Sequence, residues 1–178
     1  MADKQTQLVV LGGGPGGYAA AFMAADLGLS VTLVDPEENP GGVCLYRGCI
    51  PSKALLHVAK VITEAKEAAS YGIRFSEPKI DLTQLRDWKN EVVTKLTGGL
   101  GQLAKNKKVD HIRGKAKFVD NRTLSVTTNE SDVVALTFEH AIIATGSHPI
   151  SLPGMDIDSG QVWNSTDALN LDTIPKKK

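Results

Sequence analysis

The two cysteines of the chain, Cys44 and Cys49, lie five positions apart in the segment CLYRGCIPSK. Two thiols at this spacing can form a reversible disulfide, can stay buried and reduced, or can bind a metal. A zinc site needs further ligands, and the nearest histidine, His57, lies eight positions after Cys49. In a chain expected to be intracellular, a close pair of this kind favours redox chemistry.

A disulfide between these cysteines requires a distorted turn. In an ideal helix their Cα atoms would be about 8 to 9 Å apart, beyond the roughly 7 Å that a disulfide tolerates. Three nearby glycines, Gly41, Gly42 and Gly48, supply the freedom for such a turn. A loop this short gains only about 2 kcal/mol from cross-linking, so reversible oxidation is the better reason for the pair. We expect Cys49 to begin a helix, whose N-terminus favours a thiolate, and Cys44 to lie in the preceding loop as the more accessible sulfur.

The second chemical signal is the glycine-rich turn GGGPGG, which begins at Gly12 and follows a short apolar run. It fits the pattern G-x-G-x-x-G, in which Gly12 permits a tight turn, Gly14 lets the backbone approach a pyrophosphate, and Gly17 lets the helix pack on the strand. Asp35 follows after the next β-rich run and is placed to bind an adenosine ribose. The alternative is an ordinary turn and a surface acid. The order strand, glycines, helix, strand and acid favours dinucleotide binding, without separating NAD from FAD.

The remaining pattern predicts an α/β fold. Strands are expected at 7–12 and 31–35, joined by a helix over 17–29 in a right-handed βαβ unit with parallel, buried strands. Further helices are expected at 51–70 and from Leu82 to about Ala104, the latter capped by Asp81 and weakened by Gly98-Gly99. Short β-rich pieces over about 109–138, punctuated at Gly114, predict a small antiparallel meander. A buried strand should then run over 141–146, followed by an irregular connecting segment.

Charge and composition exclude several classes of protein. Twenty basic and twenty acidic residues give a formal net charge of zero, so no overall field attracts nucleic acid or an anionic membrane. No apolar run approaches the roughly 20 residues of a membrane span, and the polar N-terminus lacks the pattern of a secretory signal. We therefore expect a cytoplasmic location.

Four segments, GGGPGGYAAA, GGVCLYRGCIPSKALLH, GKAKFVD and IIATGSHPISLPG, resemble in this order the FAD-binding part of the dihydrolipoamide dehydrogenases. These flavoproteins belong to the pyridine nucleotide-disulfide oxidoreductases. The resemblance covers nearly the whole chain and implies a Rossmann-like FAD-binding domain. Tyr46 and Arg47 stand where many members have Asn and a small apolar residue, and Asp35 replaces the more usual Glu.

The resemblance also implies roles for particular residues. Cys44 would be the sulfur that exchanges with lipoamide, Cys49 the sulfur against the flavin, and Lys53 a cation near the flavin ring. The implied cofactor contacts, from the glycine turn to the strand after the meander, are Gly12, Gly14, Gly17, Asp35, Pro36, Gly42, Val43, Cys44, Lys53, Ala116, Thr145, Gly146 and Ser147. No residue is implied as a metal ligand.

Domain organisation follows from the same resemblance. We expect an FAD-binding domain over 1–150 and a connecting segment over 151–178, leading toward an NAD-binding domain that this chain does not reach. The expected partners are dihydrolipoamide on the lipoyl domain of a 2-oxo acid dehydrogenase complex and, as in the family, a second copy of the chain. We expect no steady turnover with NAD, because the acid/base pair of the family lies beyond these residues. The alternatives are another flavin disulfide reductase, similar to glutathione or mercuric reductase, and a noncatalytic dinucleotide-binding module.

Overall fold

The computed structural model describes residues 3–150, 154 and 162–174. Five strands and five α-helices are found there, with a single 3₁₀ turn at Ala68–Tyr71. In chain order the elements are β1 (Asp3–Leu11), α1 (Pro15–Asp26), β2 (Val31–Asp35), α2 (Gly42–Arg47), α3 (Cys49–Glu67), α4 (Leu82–Asn106), β3 (Asp110–Phe118), β4 (Thr123–Thr128), β5 (Val133–Ile143) and α5 (Ser165–Asn170).

The strands pair in a closed ring that combines parallel and antiparallel neighbours. β1 is parallel to both β2 and β5, and β2 is parallel to β3. β4 is antiparallel to β3 and to β5, which closes the ring. The predicted βαβ unit and the predicted meander are therefore both confirmed, and the chain has the expected Rossmann-like α/β architecture.

The central strand β1 separates two apolar clusters. Val9 and Leu11 point to one side, where they pack with residues from all the other strands, while Leu8 and Val10 point to the other side against α1 and the end of α4. Because both faces are covered, the four residues from Leu8 to Leu11 are all buried. This explains the uninterrupted apolar run in the sequence, which is typical of a parallel strand between two layers.

Three glycines have a different effect on the fold from the one expected from the sequence. Gly98 and Gly99 do not weaken α4 visibly, because the helix runs without a break to Asn106. A Cβ at either glycine would meet nothing within 4 Å, so packing does not require glycine there. Each glycine lowers the stability of the helix by about 1 kcal/mol relative to Ala, because its helix propensity is low. Gly114 does not end a strand either. It lies inside β3 opposite Thr128, where a Cβ would overlap the carbonyl oxygen of Thr127.

The predicted buried strand over 141–146 is wrong in two respects. These residues do not form a separate strand, because β5 runs continuously from the meander to Ile143. They are also not buried, since Ile142 is 37% and Ile143 67% exposed. β4 pairs with β5 only as far as Thr137, so beyond that point β1 is the only described strand beside β5. One edge of this part of β5 thus lacks a described neighbour.

Cys44 was expected in a loop, but it lies in the short helix α2. Gly42 begins this helix with a positive φ of 57°, and Gly48 separates it from α3.

The helix α5 lies in the segment expected to be irregular. Its capping box joins Asn164 and Asp167, each side chain accepting a hydrogen bond from the other residue's backbone nitrogen.

Two compact units are distinguished by their internal contacts. The first comprises the described residues of Met1–Cys44 and Leu96–Ser147, and so contains the strands, α1 and the end of α4. The second comprises the described residues of Leu45–Lys95 and His148–Lys178. Over the described ranges, no helix has the length and apolar character required to cross a membrane.

Candidate functional site

The glycine turn has the tight geometry that G-x-G-x-x-G predicts. Gly12 has a φ of +99°, a conformation that side chains disfavour, and its nitrogen donates a 2.9 Å hydrogen bond to the carbonyl oxygen of Val34. A Cβ on Gly12 would overlap the carbonyl oxygen of Ala144. A Cβ on Gly17 would in turn overlap the carbonyl oxygen of Gly12. The turn can therefore form only with glycine at these two positions.

Gly14 differs from these two glycines because the space on its open side, where a Cβ would lie, is not filled by other parts of the fold. It caps α1 with an ordinary φ of −69°, and a Cβ there would find only the Cα of Gly42, 4.0 Å away. Pro15 follows as the first helical residue. The first backbone N–H groups of a helix have no partner within it, and its N-terminus attracts anions. The space beside Gly14 is thus suited to a phosphate.

Asp35 connects the end of β2 to this turn. Its Oδ2 accepts a 2.6 Å hydrogen bond from the nitrogen of Gly13, and its Oδ1 accepts a 2.9 Å bond from the nitrogen of Glu37. The residue is 9% exposed. Each carboxylate oxygen can accept more than one hydrogen bond, so Asp35 keeps acceptor capacity for a hydroxyl of a ligand.

A cavity of about 380 Å³ opens beside Asp35. It is lined by Leu11, Gly12, Val34, Asp35, Pro36, Gly114, Lys115, Ala116 and Thr145. Five of the residues implied as cofactor contacts are among them, namely Gly12, Asp35, Pro36, Ala116 and Thr145. The structure thus brings together four separate segments of the chain at one cavity. Its size lies in the range usual for small-molecule sites.

The other implied contacts lie outside the lining of this cavity. Gly42 packs against the glycine turn, and a Cβ on it would lie 2.5 Å from the Cα of Gly14. Val43 follows it and is exposed. Gly146 and Ser147 are exposed after the end of β5, Gly146 with a φ of +69°.

Two residues near the cavity were not identified from the sequence. The side chain of Asn129 donates a 2.8 Å hydrogen bond from Nδ2 to the carbonyl oxygen of Pro36, a residue of the cavity wall. The ring of His111 is hydrogen-bonded to the backbone of Asp35, while its Nε2 is buried without a partner among the described residues. No local pattern marks either residue, because their roles depend on the register that places β3 beside β2.

Burial controls the protonation of His111. Desolvation lowers the pKa of the His111 imidazole below its ordinary value, against the opposing attraction of the Asp35 carboxylate and the hydrogen bond to its backbone. Arg113 also lowers this pKa, and Asp110 raises it. The net shift therefore favours the neutral ring in the folded chain.

The two cysteines belong to consecutive helices. Cys49 begins α3, as the sequence predicted. The expected accessibility is wrong, because Cys44 lies in α2 and is half buried, whereas Cys49 is exposed. No disulfide joins these two cysteines in this structure, so the predicted disulfide stays a prediction. Lys53, one turn further along α3, is exposed. Among the described residues, no cluster of three or more His, Cys, Asp and Glu side chains could hold a metal ion.

The site combines a glycine turn at a helix N-terminus, an acid after the second strand and a close cysteine pair. This combination is typical of dinucleotide-binding proteins with redox thiols. The family model described as pyridine nucleotide-disulphide oxidoreductase matches residues 6–178. The chain therefore belongs to this family.

Several curated relatives carry the name dihydrolipoyl dehydrogenase. The relative from Haemophilus influenzae is 53% identical and that from Vibrio cholerae 50% identical, each over 98% of this chain and 37% of its own length. The relative from Geobacillus stearothermophilus is 46% identical over 97% of this chain and 36% of its own length. The chain thus spans little more than a third of the length of these relatives.

Proposed function

We propose that this chain is the FAD-binding and disulfide-bearing portion of a dihydrolipoyl dehydrogenase, an enzyme that oxidises dihydrolipoamide to lipoamide and passes the electrons to NAD. The observation that carries the proposal is the cavity beside Asp35, which continues into the glycine turn. The name dihydrolipoyl dehydrogenase, which the relatives carry, supports this choice of reaction.

The residues present fit the adenosine diphosphate part of FAD. The open side of Gly14 and the start of α1 offer N–H groups to the pyrophosphate. Asp35 keeps acceptor capacity for the ribose hydroxyls, and the backbone near Ala116 lies on the cavity wall where an adenine would be held. In this proposal Gly42, Val43, Thr145, Gly146 and Ser147 line the remaining path of the cofactor, and Lys53 presents its ammonium to the flavin.

The chemistry of the cysteines is thiol–disulfide exchange. A thiolate of the substrate dithiol attacks Sγ of Cys44, the bond between Cys44 and Cys49 breaks, and Cys49 leaves as a thiolate. The second thiol of the substrate then attacks the mixed disulfide, which closes the substrate's own disulfide and releases Cys44. Two electrons and one proton have then moved from the substrate to the protein, because the first substrate thiol had already ionised and Cys49 remains a thiolate. When bound, FAD would accept this electron pair and make it available to NAD.

The partners and the location follow from the same proposal. The dithiol would be dihydrolipoamide on a lipoyl domain of a 2-oxo acid dehydrogenase complex, and the functional protein would be a homodimer. A cytoplasmic location, expected from the sequence, stays a prediction.

The test is to titrate the purified chain with FAD and then add dihydrolipoamide without oxygen. We expect quenching of flavin fluorescence and a shifted visible absorption spectrum on binding, followed by the appearance of two protein thiols from an oxidised sample. Binding of the dinucleotide without any thiol exchange would support the noncatalytic module instead. Faster exchange with glutathione than with dihydrolipoamide would support the other disulfide reductases.

A further inference from the structure

The segment that carries both cysteines has an uneven distribution of charge. Over the whole chain, basic and acidic residues balance at twenty each. Between Glu38 and Glu64, however, the sequence has no Asp or Glu, and its Lys and Arg residues are Arg47, Lys53 and Lys60, of which Lys60 pairs with Glu64 at 3.5 Å. A locally cationic surface attracts anionic ligands and raises their rate of encounter.

Arg47 is the cation nearest to both cysteines along the chain. It is three positions after Cys44 in α2, a spacing at which two side chains of one helix lie on the same face. It is two positions before Cys49, with only Gly48 between them. Arg47 therefore lies on the same helix as Cys44, the sulfur that the dithiol attacks in the proposed function, and directly before the helix of Cys49.

Tyr46 gives the Arg47 guanidinium a defined position. The guanidinium carbon lies 5.8 Å from the centre of the Tyr46 ring, within the roughly 6 Å of a cation–π contact. The ring is half buried, whereas Arg47 is exposed. A cation that is held on a ring loses less freedom when it binds an anion, because part of its ordering has already occurred.

We propose that Arg47, positioned by Tyr46, selects dithiols that carry a carboxylate. This inference rests on the proposed function, because it concerns the substrate of the same cysteines. The carboxylate could belong to a small molecule, such as dihydrolipoate, or to an acidic side chain on a protein that carries the dithiol. In both cases a carboxylate binds the guanidinium while the dithiol reduces the protein disulfide through the exchange described above.

The experiment measures rates of disulfide reduction in the chain as it exists. The protein is oxidised with diamide, the excess is removed, and the appearance of protein thiols is followed with dihydrolipoamide, which is neutral, and with dihydrolipoate, which is anionic. The ratio of the two second-order rate constants is the readout, since changes in folding or intrinsic thiol reactivity affect both dithiols. We expect dihydrolipoate to lose about two- to fivefold relative to dihydrolipoamide in Arg47→Ala, the size of one exposed charge interaction.

Further variants separate positioning from charge. Arg47→Lys should keep most of the ratio, and Arg47→Glu should invert it. Tyr46→Leu should lower the ratio partway, because the cation loses its support. Lys60→Ala is the matched control, since it removes a charge from the same segment more than two turns further along α3, and its ratio should equal that of the unchanged protein. The wild-type ratio should also fall with added salt, which screens exposed charges.

A second pair of donors distinguishes the two sources of the carboxylate. Reduced lipoyl-lysine peptides are compared with Asp and Glu, or with Asn and Gln, beside the lipoyl-lysine. An Arg47-dependent preference for the acidic peptide supports a carrier protein, and a preference restricted to dihydrolipoate supports a small molecule. A ratio that Arg47→Ala leaves unchanged for all donors overturns the inference while the proposed function stands. Failure of every dithiol to reduce the protein overturns both.

Discussion

The backbone nitrogen of Gly13 donates a 2.6 Å hydrogen bond to Oδ2 of Asp35. This bond connects the glycine turn to the end of β2, so the proposed phosphate site and the proposed ribose site share one element of structure. A Cβ on Gly13 would lie 3.0 Å from Cγ of Asp35, which shows how closely the two residues pack. A change at Asp35 should therefore affect both parts of the cofactor site.

We predict that Asp35→Ala weakens FAD binding by about 10- to 100-fold, the size of one or two hydrogen bonds to a charged group. The variant loses the carboxylate that accepts hydrogen bonds from the ribose in the proposed site. The N–H groups of Gly13 and Glu37 lose the same acceptor. Titration with FAD, followed by flavin fluorescence, measures the effect. Asp35→Glu is the control that keeps the charge, and it should bind FAD more tightly than Asp35→Ala. Equal affinity in all three proteins would show that the ribose is held elsewhere.

Replacing Gly14 with Val should weaken FAD binding while the fold stays intact. Gly14 has a φ of −69°, which any residue can adopt, and the space at its open side is that proposed for the pyrophosphate. Gly12→Ala is the contrasting variant. It should lower the melting temperature, because Gly12 has a positive φ and its Cβ would overlap a carbonyl oxygen. An unchanged FAD dissociation constant in Gly14→Val would place the phosphate site elsewhere.

Cys44 and Cys49 should form a disulfide in the oxidised chain. Titration with a thiol reagent under native conditions should find few reactive thiols before reduction and two after it. Cys44→Ser and Cys49→Ser should each retain one thiol under both conditions. The prediction fails if two thiols react freely in an oxidised sample that is still folded.

The local features of this site could be read from the sequence. Three of these features each depend on residues within a few positions. They are the glycine turn, the strand that ends at Asp35 and the helix that begins at Cys49. The cap of α4 is a further case, since Oδ1 of Asp81 accepts a 3.0 Å hydrogen bond from the nitrogen of Gln84 as predicted. In each case a short pattern has one favourable backbone solution.

Features that depend on the register of distant strands could not be read in this way. His111 and Asn129 contact the Asp35-Pro36 segment only because β3 lies parallel to β2 and β4 follows through a tight turn. The helix at Cys44 was missed for a different reason. Three glycines within eight positions indicate a loop by propensity, yet one of them, Gly42, begins a helix by adopting a left-handed conformation.

His111 should make the stability of the fold depend on pH. Since burial lowers its pKa in the folded state, the unfolded chain takes up the proton first as the pH falls. The contribution is therefore complete above the unfolded pKa of about 6.5 and is lost as the pH falls below it toward the folded pKa. Urea unfolding at about pH 7.5 and about pH 5.5 should show a smaller loss in His111→Gln than in the unchanged protein. His140→Gln, at an exposed position of β5, is the control. Equal losses in all three proteins would contradict the prediction.

Lys89 is a buried cation that donates a hydrogen bond to the end of α5. Its Nζ donates a 2.9 Å hydrogen bond to the carbonyl oxygen of Leu169, and it is only 5% exposed. Desolvation is the main cause that lowers the pKa of Lys89, with a further contribution from Arg86, while Asp172 opposes the shift. The hydrogen bond therefore stabilises the last turn of α5, while the burial of the charge costs free energy.

Replacing Lys89 with Met should loosen α5 without lowering the stability of the whole chain appreciably. Loss of the bond frees the Leu169 carbonyl, and removal of a desolvated charge offsets part of the global cost. Hydrogen exchange should become about five- to tenfold faster for the backbone of α5, because one hydrogen bond to a charged donor contributes about 1 kcal/mol or more. Lys95→Met removes an exposed lysine from the same helix and should leave exchange in α5 unchanged. Exchange in α5 that is as slow in Lys89→Met as in Lys95→Met would mean that the bond from Lys89 does not hold α5 and that the helix's own capping box is sufficient.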